Sequence, residues 1–543
     1  MASAPNEPVR PRGTVKIAWG PEPSALRSKF FQGGSTSLYE VAPVFDSYLT
    51  YYDPSGRLHP MLARDLPTRD NGGLVVRADG TVVTTYRLRP DVKWHDGVPI
   101  TARDYVFAFQ VYLDPEVPVN TRVPENLMQD VVAADDYTIV ITWKQPFFQA
   151  TTLGYGQLEP IPFHQLGERY RATKAQFMEG PEWTTAYVSN GPFRLVQWIP
   201  GSAIIGRAVM DWFLGAPKIE TVEIRFFNDP QTIIANLLAG EADLSNAPFI
   251  DAQQAVAVRD RWEKAGLGSL RVSESNVQYI EFQFRDVPNW QRALADQRVR
   301  QALLYGVNRG AVADLMTGGL AGQADAFIGR ADPAFAAVDR AITKYPIDPG
   351  RANALLADAG WRVPATGGLA VDVAGRTLEM QLWRFLSAGA ELEASVIVDD
   401  WKAIGIDASM FVIPAARTAD TEFRVTFPSA NITNRPGEVD QFPFISRNLP
   451  APERQWRGTN RGSLTDPEMD RLHDAIMTAL VPEDARSAAV ALHSRISETA
   501  GFVPLYYRAE VTMVSRRLKG PVGEPAPYQP HTAWNIFLWE LAD

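Results

Sequence analysis

Apolar and polar positions follow one another most legibly between Tyr86 and Phe109, where the chain reads YRLRPDVKWHDGVPITARDYVFAF. Tyr86, Leu88 and Val92 give a strand-like pattern ending at Trp94. Asp96-Gly97 signals a turn, and Thr101 stands as an N-cap before the helical set Tyr105, Val106 and Phe109. The same two-residue period predicts strands at 14–19, 138–143, 222–227, 278–284, 380–385 and 503–507. FRLVQW and AIIGRAV, separated by Pro200-Gly201, read as a hairpin, and the aromatic tail WNIFLWE as a strand returning to an earlier sheet. Helical spacing appears up to about Leu49, over Thr232–Ala239 with Gly240 as its stop, and at Val299, Ala302, Leu303 and Val307. It recurs over Arg351–Ala359 before Gly360 and over Glu391–Ile404. Strands alternating with helices predict an α/β fold, not an all-β sandwich. The stretch 426–460, rich in Pro and Asn and weakly periodic, reads as a long functional loop.

A chain of 543 residues exceeds one hydrophobic core and implies roughly three to four folding units. A net charge of −10 argues against nucleic acid or an anionic membrane as the main partner. With no cysteine, disulfides, thiol catalysis and Cys-ligated metals are excluded. No apolar run approaches the ~18–20 residues of a membrane span. The first thirteen residues, MASAPNEPVRPRG, read as a disordered leader rather than a targeting signal.

The residues offer little for catalysis. There is no P-loop, no HExxH and no glycine-rich dinucleotide loop. The Gly33–Ser37 loop lacks the spacing and the preceding strand of a nucleophile elbow. The six histidines are scattered, and His95 beside Asp96 reads as a hydrogen-bonded structural residue. Asp399-Asp400 and Asp466–Asp470 read as solvated helix faces, and Asn431-Ile432-Thr433 is a short sequon of low specificity.

A series of motifs in one order carries a resemblance over nearly the whole chain. They are Leu88-Arg89, Val92, Trp94-His95-Asp96-Gly97, Pro99, Ala102 and Asp104; Gly191-Pro192-Phe193 with Trp198 and Pro200-Gly201; Trp212-Phe213; and Leu237, Gly240-Glu241, Asp243. Asp296 with Arg298-Val299-Arg300 and Ala302-Leu303, Asp348-Pro349 through Gly360-Trp361, Gly405-Ile406 and Pro504–Tyr507 follow. In these the chain resembles the substrate-binding proteins of peptide- and nickel-type ABC importers, solute-binding family 5. Asn308-Arg309 departs from the family's usual Asp-Arg.

The resemblance implies a periplasmic-binding-protein-like two-lobe fold (type II, cluster C) with an extra α/β domain. Lobe I would comprise 14–50, 187–277 and 508–543, the extra domain 51–186, and lobe II 278–507. It implies a monomer outside the inner membrane, its signal sequence removed. There it would deliver a small-molecule solute by lobe closure to permease subunits served by cytoplasmic ATPases, with no cofactor, metal, nucleic acid or catalysis. A sensory receptor of the same fold is the alternative, and a degenerate hydrolase a more distant one.

Relatives that bind peptides carry an acid in a lobe II loop that pairs with the peptide's α-amine. The matching stretch here runs Phe427, Asn431, Asn434, Arg435, and Asp440 comes several residues late. Arg384, between Trp383 and Phe385, matches an arginine of dipeptide-binding relatives. It suits a carboxylate, a phosphate or sugar hydroxyls, with Trp383 stacking on a ring; alternatively Arg384 pairs with Glu391 or Glu393 and Trp383 fills core. Ser35 and Tyr39 complete the expected contacts. These residues suggest a saccharide, an opine-like or other small organic acid, or a modified peptide; a plain oligopeptide remains open through Asp440, and a metal chelate is disfavoured.

Overall fold

The computed structural model describes residues 10–30, 37–246, 249–387, 389–436, 444–524, 526, 529 and 532–542. The chain forms two units, Met1–Ser273 with Glu510–Asp543, and Glu274–Ala509. It passes between them within the strands Gly268–Phe282 and Phe502–Ser515, on which the junctions expected at 277/278 and 507/508 also lie.

In the first unit, the strand Thr14–Trp19 lies parallel between Thr221–Phe226 and Leu244–Ser245. The hairpin Phe193–Ile199/Ala203–Ala208 extends the sheet antiparallel beyond Thr221–Phe226. Val15, Ile17 and Trp19 face a core with Phe45, Phe193, Ile204, Ile224 and Trp539, as the two-residue period requires. A separate antiparallel sheet runs Leu74–Val76, Val82–Arg87, Thr138–Trp143, Met128–Asp135.

The stretch that is clearest in sequence folds somewhat differently from its pattern. The strand ends at Arg87, and Val92 and Trp94 are buried from a looped backbone. Thr101 N-caps the helix Ala102–Leu113, and its own backbone N–H donates to the Asp104 carboxylate at 2.8 Å. Asp104 also accepts from the Phe163 N–H at 2.9 Å, tying this helix to the next one, Phe163–Ala172. Gly97 (φ +92°) makes the turn in a conformation that side chains disfavour. The turn docks on a second motif: His95 Nε2 is 2.9 Å from the Gly191 carbonyl, and Ser189 Oγ is 3.0 Å from Nδ1. A carbonyl only accepts, so Nε2 carries the proton and Nδ1 accepts from the serine hydroxyl. Burial, the largest cause, holds the ring neutral and pushes its pKa down to about 4. Gly191 in turn donates its N–H to Phe45 O at 2.6 Å. These two motifs brace each other.

In the second unit the strands lie in the order Asp407–Ile413, Glu379–Phe385, Ala430–Pro436, Gly268–Phe282, the last pair antiparallel and the others parallel. One face packs Ile280, Leu382 and Ile432 against Val299, Leu303, Ile397 and Trp401 from the helices Gln297–Tyr305 and Ala390–Ala403. The other packs Val277 and Tyr279 against Phe327, Phe444, Leu472 and Leu492. Two further helices, Pro467–Thr478 and Pro482–Thr499, supply the last two of these.

Three expectations need correcting. Ala430–Pro436 is a strand inside the sheet, not part of a loop. Its alternation is hidden because the inward positions Asn431 and Thr433 are polar and buried, with partners inside the protein. The sequon asparagine is accordingly out of reach. The tail WNIFLWE forms a helical turn, Ile536–Leu538, before the short strand Glu540–Leu541, which pairs with Leu518–Lys519. The acidic pairs are not simple solvated faces. Asp466 caps the helix Pro467–Thr478 and pairs with Arg495 at 2.8 Å, while Asp470 and Asp400 accept backbone N–H groups of Ser446 and Asn308.

Candidate functional site

Strand alternation divides the expected solute contacts between two faces of the second unit's sheet. The register pairs Trp383 with Asn431, Arg384 with Ile432, Glu281 with Asn431 and Gln278 with Asn434. Arg384 and Asn434 therefore share the face toward the helix Ala390–Ala403, while Trp383, Phe385, Asn431 and Arg435 share the other.

On the first face, Arg384 Nε donates to Glu393 Oε2 at 2.7 Å, and Nη2 lies 3.3 Å from Ser387 Oγ. The Glu393 side chain is 0% exposed and that of Arg384 14%. Glu393 also accepts from the Tyr506 hydroxyl at 2.8 Å and from Gln278 Nε2 at 3.3 Å. The carboxylate is thus fully furnished with donors and the guanidinium balanced, which is the pairing alternative for Arg384.

On the second face, Trp383 is buried with Ile413 and Phe427, flanked by Phe411 and Phe423, and donates Nε1–H to Gln381 Oε1 at 2.7 Å. Phe427 is fully buried. Both side chains pack in this cluster. Phe385 is half-buried, with the guanidinium carbons of Arg424 and Arg461 at 4.8 and 5.8 Å from its ring centre. Asn431 donates Nδ2–H to Glu281 Oε1 at 2.8 Å. Arg461 Nη1 lies 4.0 Å from the same carboxylate and donates to Thr433 Oγ1 at 3.3 Å. Arg435 donates to the Thr459 carbonyl at 3.3 Å.

Arg461 reaches this face because Gly462 passes the strand end closely: a Cβ there would lie 2.0 Å from the Phe282 carbonyl oxygen. Glu281 is 0% exposed, and burial raises its pKa against the opposing pull of Arg461, Asn431 and Arg435. Tyr279, on the same face, is pushed up to about 12 by burial. Arg424 is pushed down to about 10, first by burial and then by Arg461 and Arg435.

Arg424, Arg461, Glu281, Thr433 and Tyr279 were missed from sequence. The available signal was a glutamate inside QYIEFQF, a strand otherwise fit for burial. Asp440 and Ser35 lie outside the described residues. Tyr39 falls in the helix Ser37–Phe45, and its side chain is likewise outside them.

Among the described residues no group of acids and histidines could hold a metal. The chain belongs to the bacterial extracellular solute-binding proteins, family 5 Middle, whose model matches residues 57–443. It is an extracytoplasmic solute-binding protein of the ABC-importer type and not an enzyme, and no helix among the described residues is long and apolar enough to cross a membrane.

An ABC transporter peptide-binding protein of Brucella melitensis is 24% identical over 489 residues, 84% of this chain and 85% of that protein. NikZ of Campylobacter jejuni, solved with Ni(L-His), superimposes with a TM-score of 0.71 at 20% identity, covering 97% of this chain and 99% of its own. AgaA of A. tumefaciens R10, solved with agropinic acid, gives a TM-score of 0.67 at 19% identity, covering 98% and 99%. The two-lobe solute-binding fold is common to these structures.

Proposed function

We propose that the protein captures a small polar solute that needs no free ammonium group, and presents it to an ABC permease from outside the inner membrane. The observation that carries this reading is the charge on the sheet face of the Glu274–Ala509 unit. Among the described residues the carboxylate acting on Arg424 is Glu281, fully buried and accepting from Asn431, and the other charged groups acting there are Arg461 and Arg435; Glu379 and Asp407 share the face only as the exposed first residues of their strands. An ammonium brought to such a face loses water and meets like charge, which is costly.

The proteins compared above carry peptide, nickel–histidine and agropinic acid in their names, so the fold leaves the solute open. Phe385 and Arg435, both half-buried, are the proposed contacts on this face. The inserted domain at 51–186, a monomeric state and a removed signal sequence belong to the same proposal.

Plain oligopeptide binding is the second reading, favoured by the Brucella relative. Native mass spectrometry of freshly purified protein tests the first reading by the mass of any retained solute. A thermal-shift series with trialanine and N-acetyl-trialanine, set beside sugars and sugar acids, tests it directly. Stabilisation confined to peptides with a free amino terminus refutes it.

A further inference from the structure

We propose that Arg424 and Arg461, which flank Phe385, form with Arg435 a subsite for an anionic group of the solute, a carboxylate or a phosphate. This deepens the reading above and rests on it.

Three guanidinium groups reach this face from separate places in the chain. Arg435 sits on the strand Ala430–Pro436, Arg424 on the helical turn Phe423–Val425, and Arg461 on the stretch that Gly462 brings against the sheet. Among the charged groups acting on Arg424, one is a carboxylate, Glu281, and two are the other arginines. Among the described residues three guanidiniums thus face one carboxylate in a partly desolvated place. The Arg461 side chain is only 13% exposed.

Their hydrogen bonds are incomplete too. Among the described residues Arg424 Nε and Arg435 Nε are buried without an acceptor. Among the described residues Arg424 shows no side-chain hydrogen bond or ion pair, and it lies over the Phe385 ring. Buried donors without acceptors cost stability, and like charges held together cost more. An anion removes both penalties at once, and planar guanidiniums match carboxylate and phosphate oxygens in pairs.

The pairing on the opposite face makes the contrast. Arg384 meets Glu393, which accepts from Tyr506 and Gln278 as well, so that pair has no charge to spare. A guanidinium such as that of Arg424, left without an acceptor among the described residues, is the mark of a site awaiting its ligand.

The test uses the full chain in thermal-shift and calorimetric titrations with matched probes: glucose against glucuronate and glucose 6-phosphate, and N-acetyl-alaninamide against N-acetyl-alanine. At least one anionic member should bind more tightly than its neutral partner. The carboxylate and phosphate arms identify which oxyanion is preferred. Arg424→Gln should weaken that anion by roughly tenfold or more while leaving the unliganded melting temperature unchanged or raised. Arg435→Gln serves as a second variant, and Arg376→Gln, on an exposed side chain paired with Asp372, as a control that should change nothing.

A panel in which no anion outperforms its neutral partner overturns the subsite, as does a parallel fall of binding and unliganded stability in Arg424→Gln. Neutral probes binding as well as their acids would sink the subsite but spare the proposed function. A response only to free-amine peptides would sink both.

Discussion

Glu393→Ala removes the acceptor for three donors at once, and the structure sets the size of the effect. Arg384 Nε, the Tyr506 hydroxyl and Gln278 Nε2 all converge on this carboxylate, whose side chain is 0% exposed. Breaking a buried ion pair from one side costs about 3–5 kcal/mol, because the remaining charge keeps its desolvation without its partner. For a unit the size of Glu274–Ala509 each kcal/mol moves the melting temperature by about 2–4 °C. The expected fall is therefore roughly 6–20 °C, read by tryptophan fluorescence or calorimetry on unliganded protein. Arg384→Ala strands the carboxylate instead and should fall by a similar amount. The double variant Arg384→Met/Glu393→Met should be less damaged than the sum of its parts, since it leaves no orphaned charge. Single variants that shift melting by less than about 2 °C, or a double variant that is simply additive, would refute the reasoning. If Arg384→Ala left melting intact but abolished solute binding, the guanidinium would be a solute contact and not a partner of Glu393.

Three further outcomes follow from the same reasoning. His95 has its pKa depressed to about 4 from an ordinary 6.5. The unfolded chain then takes up the proton first, and the wild type should lose stability relative to His95→Gln as pH falls from 6.5 towards 4, by about 1–3 kcal/mol; parallel pH–stability curves for the two proteins would exclude this. Gly191→Ala would set a Cβ 2.3 Å from the Phe45 carbonyl carbon and 2.6 Å from the Asp46 nitrogen, both backbone atoms that cannot swing away. It should cost more than about 3 kcal/mol or prevent soluble expression, whereas Gly201→Ala, at a turn with open space, should be mild apart from its positive φ. Asp466→Ala removes an N-cap accepting the Glu468 and Met469 N–H groups together with the partner of Arg495. A loss of about 1–3 kcal/mol is expected in denaturant melts, and Asp466→Asn, which keeps the cap, should lose less.

The fold was legible wherever apolar period and turn chemistry agreed. TVKIAW, the 138–143 strand, the hairpin at Pro200-Gly201 and the helix stopped by Gly240 all form where those signals place them. The Trp94–Gly97 turn and Gly191-Pro192 were legible as motifs, but their contact was not. A hydrogen bond from His95 to the Gly191 carbonyl joins residues 96 apart in the chain, and no local pattern reports it.

The surroundings of the expected site residues were less legible, for a related reason. The alternation of Ala430–Pro436 is masked because its inward residues are polar: Asn431 donates to the buried Glu281 of the neighbouring strand, and Thr433 accepts from Arg461. A rule that equates buried with apolar therefore erases the very strand where buried polar and charged groups gather. Reading that strand as a loop also merged two faces, so that Arg384 and Arg435 seemed to serve one solute contact. Pleating sends them to opposite sides. One meets a carboxylate with donors to spare, and the other joins a set of cations short of anions. The two arginines differ in their surroundings alone, and sheet register, which neither residue's sequence neighbours encode, decides those surroundings.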